Sequence, residues 1–310
     1  IDVDTLNIDS ASFAQILREV STDPGAIGEH IASIVAERGK MQNPVTGSGG
    51  MLLGTVRARG AGYTTHPDAV PGTRVATLVS LTLTPLWLDQ VVAVHPAADQ
   101  VEVRGHALLP PRAPIVVVPG DMDQRVALAA LDVCGAPAQT LRLTRPGMRV
   151  VVLGAGKSGV LCMAQARAVL GSSGRLVGLD LNDATLRGAQ EAGLIDAWAT
   201  VNARDPLATR RAVLEALGGE ADLVINTANV SETEMACILS VRDGGTVYFF
   251  NMATSFSRAA LGSEGAGKDA TLLIGNGYAP GHAALTLDLV RNEPFVRATF
   301  AAHIAHARQS

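Results

Sequence analysis

Residues 149–159 read Arg-Val-Val-Val-Leu-Gly-Ala-Gly-Lys-Ser-Gly. A run suited to a buried strand breaks into Gly154, Gly156 and Gly159 at G-x-G-x-x-G spacing, and an apolar, helix-like stretch follows. Asp180 ends the next apolar run, 21 residues after Gly159. Each part has a mechanical reason. The first glycine permits a tight turn, the second lets backbone approach a pyrophosphate, and the third lets helix pack on strand. The helix N-terminus then attracts phosphate, and the acid accepts from a ribose diol. A glycine turn alone is common. Strand, turn, helix, strand and terminal acid in register point to a dinucleotide held by Gly154, Gly156, Ser158, Gly159 and Asp180. Lys157 lies in the turn, facing phosphate or solvent. Asp180 favours NAD over NADP, because a carboxylate repels a 2′-phosphate.

From Val150 onward, strand-like and helix-like segments alternate, which predicts a doubly wound parallel sheet. In such sheets ligands bind outside the carboxyl ends of the strands. Asn226 and Thr227 end one expected strand, and Asn251 and Met252 the next, so their loops are expected near the nicotinamide half of a cofactor. The motif has about 150 residues ahead of it. There glycine, proline and threonine are dense and short β-rich runs dominate, as in a small barrel-like domain. Leu128–Leu141 is predicted as a helical bridge, and residues 280–291 as a final helix that returns to the first domain. The expected fold class is α/β: a Rossmann-type doubly wound sheet plus a β-rich, GroES-like domain. Residues 1–120 joined by 278–310 form the expected substrate domain, and residues 121–277 the NAD-binding domain.

The composition agrees. A chain of 310 residues with 47% apolar, 17% charged and 32 glycines suits a two-domain α/β enzyme. A net charge of −4 with no basic stripe argues against nucleic acid as partner. Apolar runs are too short or interrupted to span a bilayer, so no membrane partner is expected. No leader of the secretory type is visible, and a cytoplasmic location is the default. The chain opens at Ile1, without methionine and in what reads as mid-strand, so a preceding segment is expected. Cys134, Cys162 and Cys237 are far apart in apolar stretches and read as small buried hydrophobes.

Several motifs resemble the medium-chain dehydrogenase/reductase superfamily. Pro44-x-x-Gly47 followed by Gly50-x-x-x-Gly54-x-Val56 is similar to the G-H-E-x-x-G-x-V stretch of its zinc alcohol dehydrogenases. Pro71-Gly72-Thr73-Arg74-Val75 resembles their G-D-x-V turn, and Gly135-Ala136-Pro137-Ala138 their G-x-T-A helix. Blocks at residues 1–13, 38–54, 78–86, 131–140 and 247–264 resemble, more specifically, the L-erythro-3,5-diaminohexanoate dehydrogenase family. That resemblance implies NAD-dependent oxidative deamination giving 5-amino-3-oxohexanoate, ammonia and NADH. The expected partners are a small diamino acid and a second copy of the chain, as a homodimer. No metal is expected: the Gly-His-Glu position reads Gly47-Ser48-Gly49, no cysteine precedes Cys134, and His66, His95 and His106 stand alone.

The implied reaction needs a general base, a carboxylate clamp and a site for a second ammonium. The ammonium on carbon 3 loses a proton, a hydride leaves that carbon, and the resulting iminium takes up water and sheds ammonia. Lys40 is a candidate clamp, or a base if burial lowers its pKa. Glu37 is a candidate for the ammonium. The run Glu37-Arg38-Gly39-Lys40 also reads as an ordinary helix stop. Asn43, Thr46 and Ser48 are turn residues read alone and substrate contacts under the resemblance. Thr82 and Thr84 alternate beside Pro85 in an expected strand; they line the same cleft or reflect β-propensity alone. Two alternatives remain: a zinc-independent enoyl or quinone reductase of the same superfamily, and a non-catalytic dinucleotide-binding protein.

Overall fold

The computed structural model describes residues 1–64, 66–275 and 277–306. Residues 307–310, the end of the expected return segment, lie outside them. The chain divides into two units. One comprises Ile1–Asp132 with the chain from Phe300, and the other Val133–Thr299.

The first unit runs β1 (Asp2–Asn7), α1 (Ser10–Glu19), α2 (Pro24–Arg38), β2 (Met51–Thr55), β3 (Arg74–Thr77), β4 (Leu86–His95), β5 (Gln100–Ala107), β6 (Ile115–Val117) and α3 (Gln124–Leu131). Its six strands pair antiparallel in the order β4-β5-β1-β2-β3-β6. Two helices lie between β1 and β2, and their ends explain them. Asp9 caps α1, accepting from the Ser12 amide, and Asp23 caps α2, with Pro24 in the first turn. Ile27, Ile31, Ile34 and Val35 repeat at helical spacing and are buried. Gly28 lies on the same helix; a Cβ there would stand 3.0 Å from Val91 Cγ1 of β4, so the absent side chain lets helix rest on sheet. Gly39 ends α2 in the left-handed conformation, φ +66°. These faces meet Leu6, Ile8, Phe13, Met41, Leu52 and Leu81 in one core.

The second unit runs α4 (Gly135–Leu143), β7 (Arg149–Leu153), α5 (Lys157–Leu170), β8 (Arg175–Asp180), α6 (Asp183–Glu191), β9 (Ala197–Thr200), α7 (Pro206–Leu217), β10 (Ala221–Asn226), α8 (Glu234–Ser240), β11 (Val241–Phe249), α9 (Phe256–Ala266), β12 (Thr271–Ile274), α10 (His282–Asn292) and the start of α11 (Pro294–His306). All six strands are parallel, in the order β9-β8-β7-β10-β11-β12. Strand order reverses between β7 and β10, which is where such sheets open a crevice. The strand that leads to Asn251 starts at Val241: β11 runs through Asp243-Gly244, and a register shift against β10 absorbs the extra residues. α10 packs on α4 and α5, within the second unit.

Candidate active site

In the second unit, Val150, Val151, Val152 and Leu153 are buried and end at Gly154. Gly154 has φ +99°, and a Cβ there would stand 2.7 Å from the Ala228 nitrogen. The Thr227 hydroxyl lies 3.1 Å from both Leu153 O and Gly154 O, so the loop after β10 braces the turn. A Cβ on Gly159 would fall 1.9 Å from Gly154 O, so α5 starts hard against the strand end. Gly156 is the opposite case: its Cβ position meets nothing within 4 Å. It also begins α5 without any side-chain cap, so Gly156 itself offers nothing to the first-turn amides. An approachable backbone with uncapped helix amides fits a pyrophosphate. Lys157 and Ser158 are half-buried in that first turn.

Asp180 ends β8. Its Oδ2 accepts from the Ala155 amide at 2.6 Å, and its Oδ1 from the Asn182 amide at 2.9 Å. The carboxylate thus fastens the glycine turn to the second strand and keeps further lone pairs for a ribose. Asn226 is fully buried. Its Nδ2 donates to Thr233 Oγ1 at 2.7 Å, and its Oδ1 accepts from the Ala228 amide at 3.1 Å. The side chain therefore shapes its own loop. Asn251 differs. It is 8% exposed, and its Oδ1 accepts from the Thr254 hydroxyl at 3.1 Å. Its Nδ2 is buried without a partner, a free donor at the carboxyl end of β11 that suits a cofactor amide. Met252 beside it is exposed.

The three cysteines are buried thiols. Burial pushes the Cys162 thiol up to about 12 and raises Cys237 further, with the nearby Glu234 charge adding to it. Burial also raises the Tyr248 hydroxyl. These groups stay protonated and serve packing. Among the described residues no three His, Cys, Asp or Glu side chains come together as a metal site.

In the first unit the candidate polar residues separate. Asn43 is fully buried and saturated. Its Oδ1 accepts from the Val45 and Thr46 amides at 2.8 and 3.0 Å; its Nδ2 donates to Gln15 Oε1 at 2.6 Å and Ser12 O at 3.4 Å. It closes the turn and ties it to α1. The Thr46 and Ser12 hydroxyls are 2.5 Å apart, and Thr46 Oγ1 accepts from the Ser48 amide at 3.3 Å. The Ser48 side chain is half-exposed. Thr82 and Thr84 do not lie in a strand. Residues 81–83 form a single 3-10 turn capped by the Ser80 hydroxyl, because Ser80 offers its oxygen to the Thr82 amide. The Thr82 hydroxyl donates to Ser80 Oγ at 3.0 Å and is partly exposed; Thr84 is fully buried and donates to Ser80 O at 3.1 Å.

Glycine brings these turns together. A Cβ on Gly49 would stand 2.3 Å from Met41 O and 3.2 Å from the Thr82 nitrogen, and the Leu81 amide donates to Gly50 O at 2.9 Å. Ser48 and Thr82 therefore share one region. Lys40 follows the Gly39 stop and is half-buried, whereas Glu37 is exposed on the last turn of α2, accepting from Ser33 at 3.2 Å. The sequence reading missed Ser12, Gln15 and Ser80, whose oxygens hold the two turns, and Asp9, which caps α1 beside them. The legible signal was Asp9, an N-cap residue ahead of a helical pattern.

A family model described as the L-erythro-3,5-diaminohexanoate dehydrogenase N-terminal domain matches residues 1–119. The L-erythro-3,5-diaminohexanoate dehydrogenase of Acetoanaerobium sticklandii is 49% identical over 302 residues, covering 97% of this chain and 88% of that one. The protein of the same name from Fusobacterium nucleatum is 48% identical with the same coverage. Alcohol dehydrogenase TADH from Thermus sp. ATN1 superposes with a TM-score of 0.57 at 18% identity, covering 98% of this chain and 86% of that one, and shares the fold. With its glycine turn, its turn at residues 43–50 and near half-identity along 97% of its length, the chain belongs to the L-erythro-3,5-diaminohexanoate dehydrogenase family.

Proposed function

We propose that the protein catalyses NAD-dependent oxidative deamination of L-erythro-3,5-diaminohexanoate to 5-amino-3-oxohexanoate, ammonia and NADH. The observation that carries this is the 49% identity to a dehydrogenase of that name over almost the whole chain. The glycine turn supports the cofactor half of the reading. Gly156 leaves room for a pyrophosphate, Lys157 and Ser158 lie in the first turn of α5, and Asp180 selects NAD through the ribose. Asn226 and Thr227 set the loop over the turn, and Asn251 and Met252 lie at the end of β11. When bound, NAD supplies the hydride acceptor.

On the substrate side, residues 1–120 bind the diamino acid and residues 133–277 bind NAD; residues 278–299, expected with the substrate domain, belong to the second unit. Lys40 serves as carboxylate clamp or general base. Ser48, Thr46 and Thr82 line the region where the two turns meet, on the frame that Asn43 and Thr84 hold, and Glu37, exposed on α2, is the sequence's candidate for an ammonium. A homodimer in the cytoplasm, working without metal, completes the reading. No described helix is long and apolar enough to cross a membrane.

The test is NADH formation by purified protein from NAD and L-erythro-3,5-diaminohexanoate, with light scattering for the dimer. Absence of NADH while NAD binds sinks the proposed activity.

A further inference from the structure

One carboxylate oxygen in the first unit lacks what buried polar atoms almost always have. Asp9 follows β1 and caps α1, and its Oδ1 accepts from the Ser12 amide at 3.0 Å. Its Oδ2 is buried without a hydrogen-bond partner. No cation pairs with Asp9 among the described residues. A carboxylate oxygen withdrawn from water with nothing to accept from is unfavourable unless a ligand completes it.

The position of Asp9 says which ligand. Gly50 presses against this part of the chain: a Cβ there would stand 1.9 Å from Asn7 O and 2.8 Å from the Asp9 nitrogen. The 2.5 Å contact between Ser12 and Thr46 hydroxyls stitches the same turn to the helix that Asp9 caps. Gly50 O also accepts from Leu81, and Gly49 abuts Thr82. Asp9 thus stands where the end of β1, the 43–50 turn and the 80–84 turn converge. Those two turns carry the candidate substrate contacts.

We propose that Asp9 receives the second ammonium of the diamino acid, the one that is not oxidised. This rests on the activity proposed above. An ammonium brings three donors and a full positive charge to an oxygen that has neither. The reacting amine must release a proton before its carbon gives up hydride, and a paired carboxylate would hold that proton in place. The other ammonium stays charged throughout, so a fixed carboxylate suits it. Glu37, the acid the sequence suggested for this task, ends in water on α2, where ion pairs are weak. Under this assignment Asp9 sets specificity for diamino over monoamino acids.

Asp9→Asn tests the assignment, because asparagine caps a helix as well as aspartate and removes only the charge. Wild type and variant are compared on L-erythro-3,5-diaminohexanoate and on 3-aminohexanoate, which lacks the second amine; where the latter is not oxidised, its inhibition constant is read instead. Asp9→Asn is expected to melt near the wild-type temperature and keep its KM for NAD. On the diamine it loses about 30-fold or more in kcat/KM, mainly through KM. Wild type discriminates against the monoamine by a similar factor, and on the monoamine the two proteins agree within about threefold. If Asp9→Asn does not fold, Asp9→Ser, which also caps, makes the same comparison. Equal losses on both substrates, or no loss on the diamine, overturn the assignment and leave the activity standing. A wild type that forms no NADH from the diamine removes the activity and the assignment together.

Discussion

The Asp180 carboxylate accepts from the backbone amide of Ala155 at 2.6 Å, so the acid at the end of β8 is fastened to the middle of the glycine turn. Residues 25 apart in sequence are locked as one unit, and a group expected to meet the cofactor also shapes the loop that would hold it. Asp180→Ala is therefore expected to do two things. The preference for NAD over NADP falls by about tenfold or more, since repulsion of a 2′-phosphate is lost. Stability falls by about 1–2 kcal/mol, because the Ala155 and Asn182 amides lose their acceptor. Kinetics with both cofactors and a denaturant titration read the two effects. An unchanged cofactor ratio would show that Asp180 serves the turn alone.

Gly156 and Gly159 separate binding from folding. A methyl group on Gly156 meets no protein atom within 4 Å and needs no unusual backbone angle, so Gly156→Ala folds with a near-normal melting temperature. It fills the space that a pyrophosphate would take, and the Kd for NAD is expected to rise by about tenfold or more. Gly159→Ala places a Cβ 1.9 Å from Gly154 O and must push α5 off β7, at a cost of about 2–4 kcal/mol. Calorimetry and NAD titration on both variants should give opposite patterns. Weak binding by Gly159→Ala with an unshifted melting temperature would refute this division of labour.

The same contrast explains what the sequence could say. A glycine turn is legible because backbone geometry alone dictates its spacing, and the parallel sheet follows from alternation over many residues. The helices α1 and α2 were legible only at their ends, where Asp9, Asp23 and Pro24 mark the starts and Gly39 a stop. Thr82 and Thr84 alternate like strand residues, yet one Ser80 hydroxyl turns the chain instead. The inward saturation of Asn43 and the orphaned Asp9 oxygen are tertiary facts: each depends on segments tens of residues away.

Lys40 stands just past the Gly39 stop, half-buried, ahead of the turn that Asn43 closes. As base or clamp it acts on the substrate and not on NAD. Lys40→Ala is expected to lower kcat/KM for the diamino acid by about 10²-fold with the KM for NAD unchanged. Loss in kcat marks the base and loss in KM the clamp. Near-normal turnover would release Lys40 from both roles.

Asn43→Ala should behave as a folding variant. It removes an oxygen that accepts from two amides and a nitrogen that donates to Gln15 and Ser12, all in a buried turn. The expected cost is about 2–4 kcal/mol, with kcat per folded molecule retained at permissive temperature. Normal stability with abolished turnover would make Asn43 a direct substrate contact instead.

Acid should weaken the second unit through His282. The residue is buried at the start of α10, 5.0 Å from the Tyr278 ring and edge-on to it. Burial lowers its pKa below the ordinary 6.5, only partly opposed by a bond to the Ala279 carbonyl. In this window the unfolded chain binds a proton that the folded one refuses, so stability rises with pH. The contribution is fully present above pH 6.5 and is lost as pH falls below that value towards the depressed one. The slope there is at most about 1.4 kcal/mol per pH unit. His282→Gln cannot titrate, so its loss of stability between pH 7.5 and 5.5 should be smaller than that of wild type, whatever its absolute stability. Equal losses in both proteins would assign the acid sensitivity to other groups.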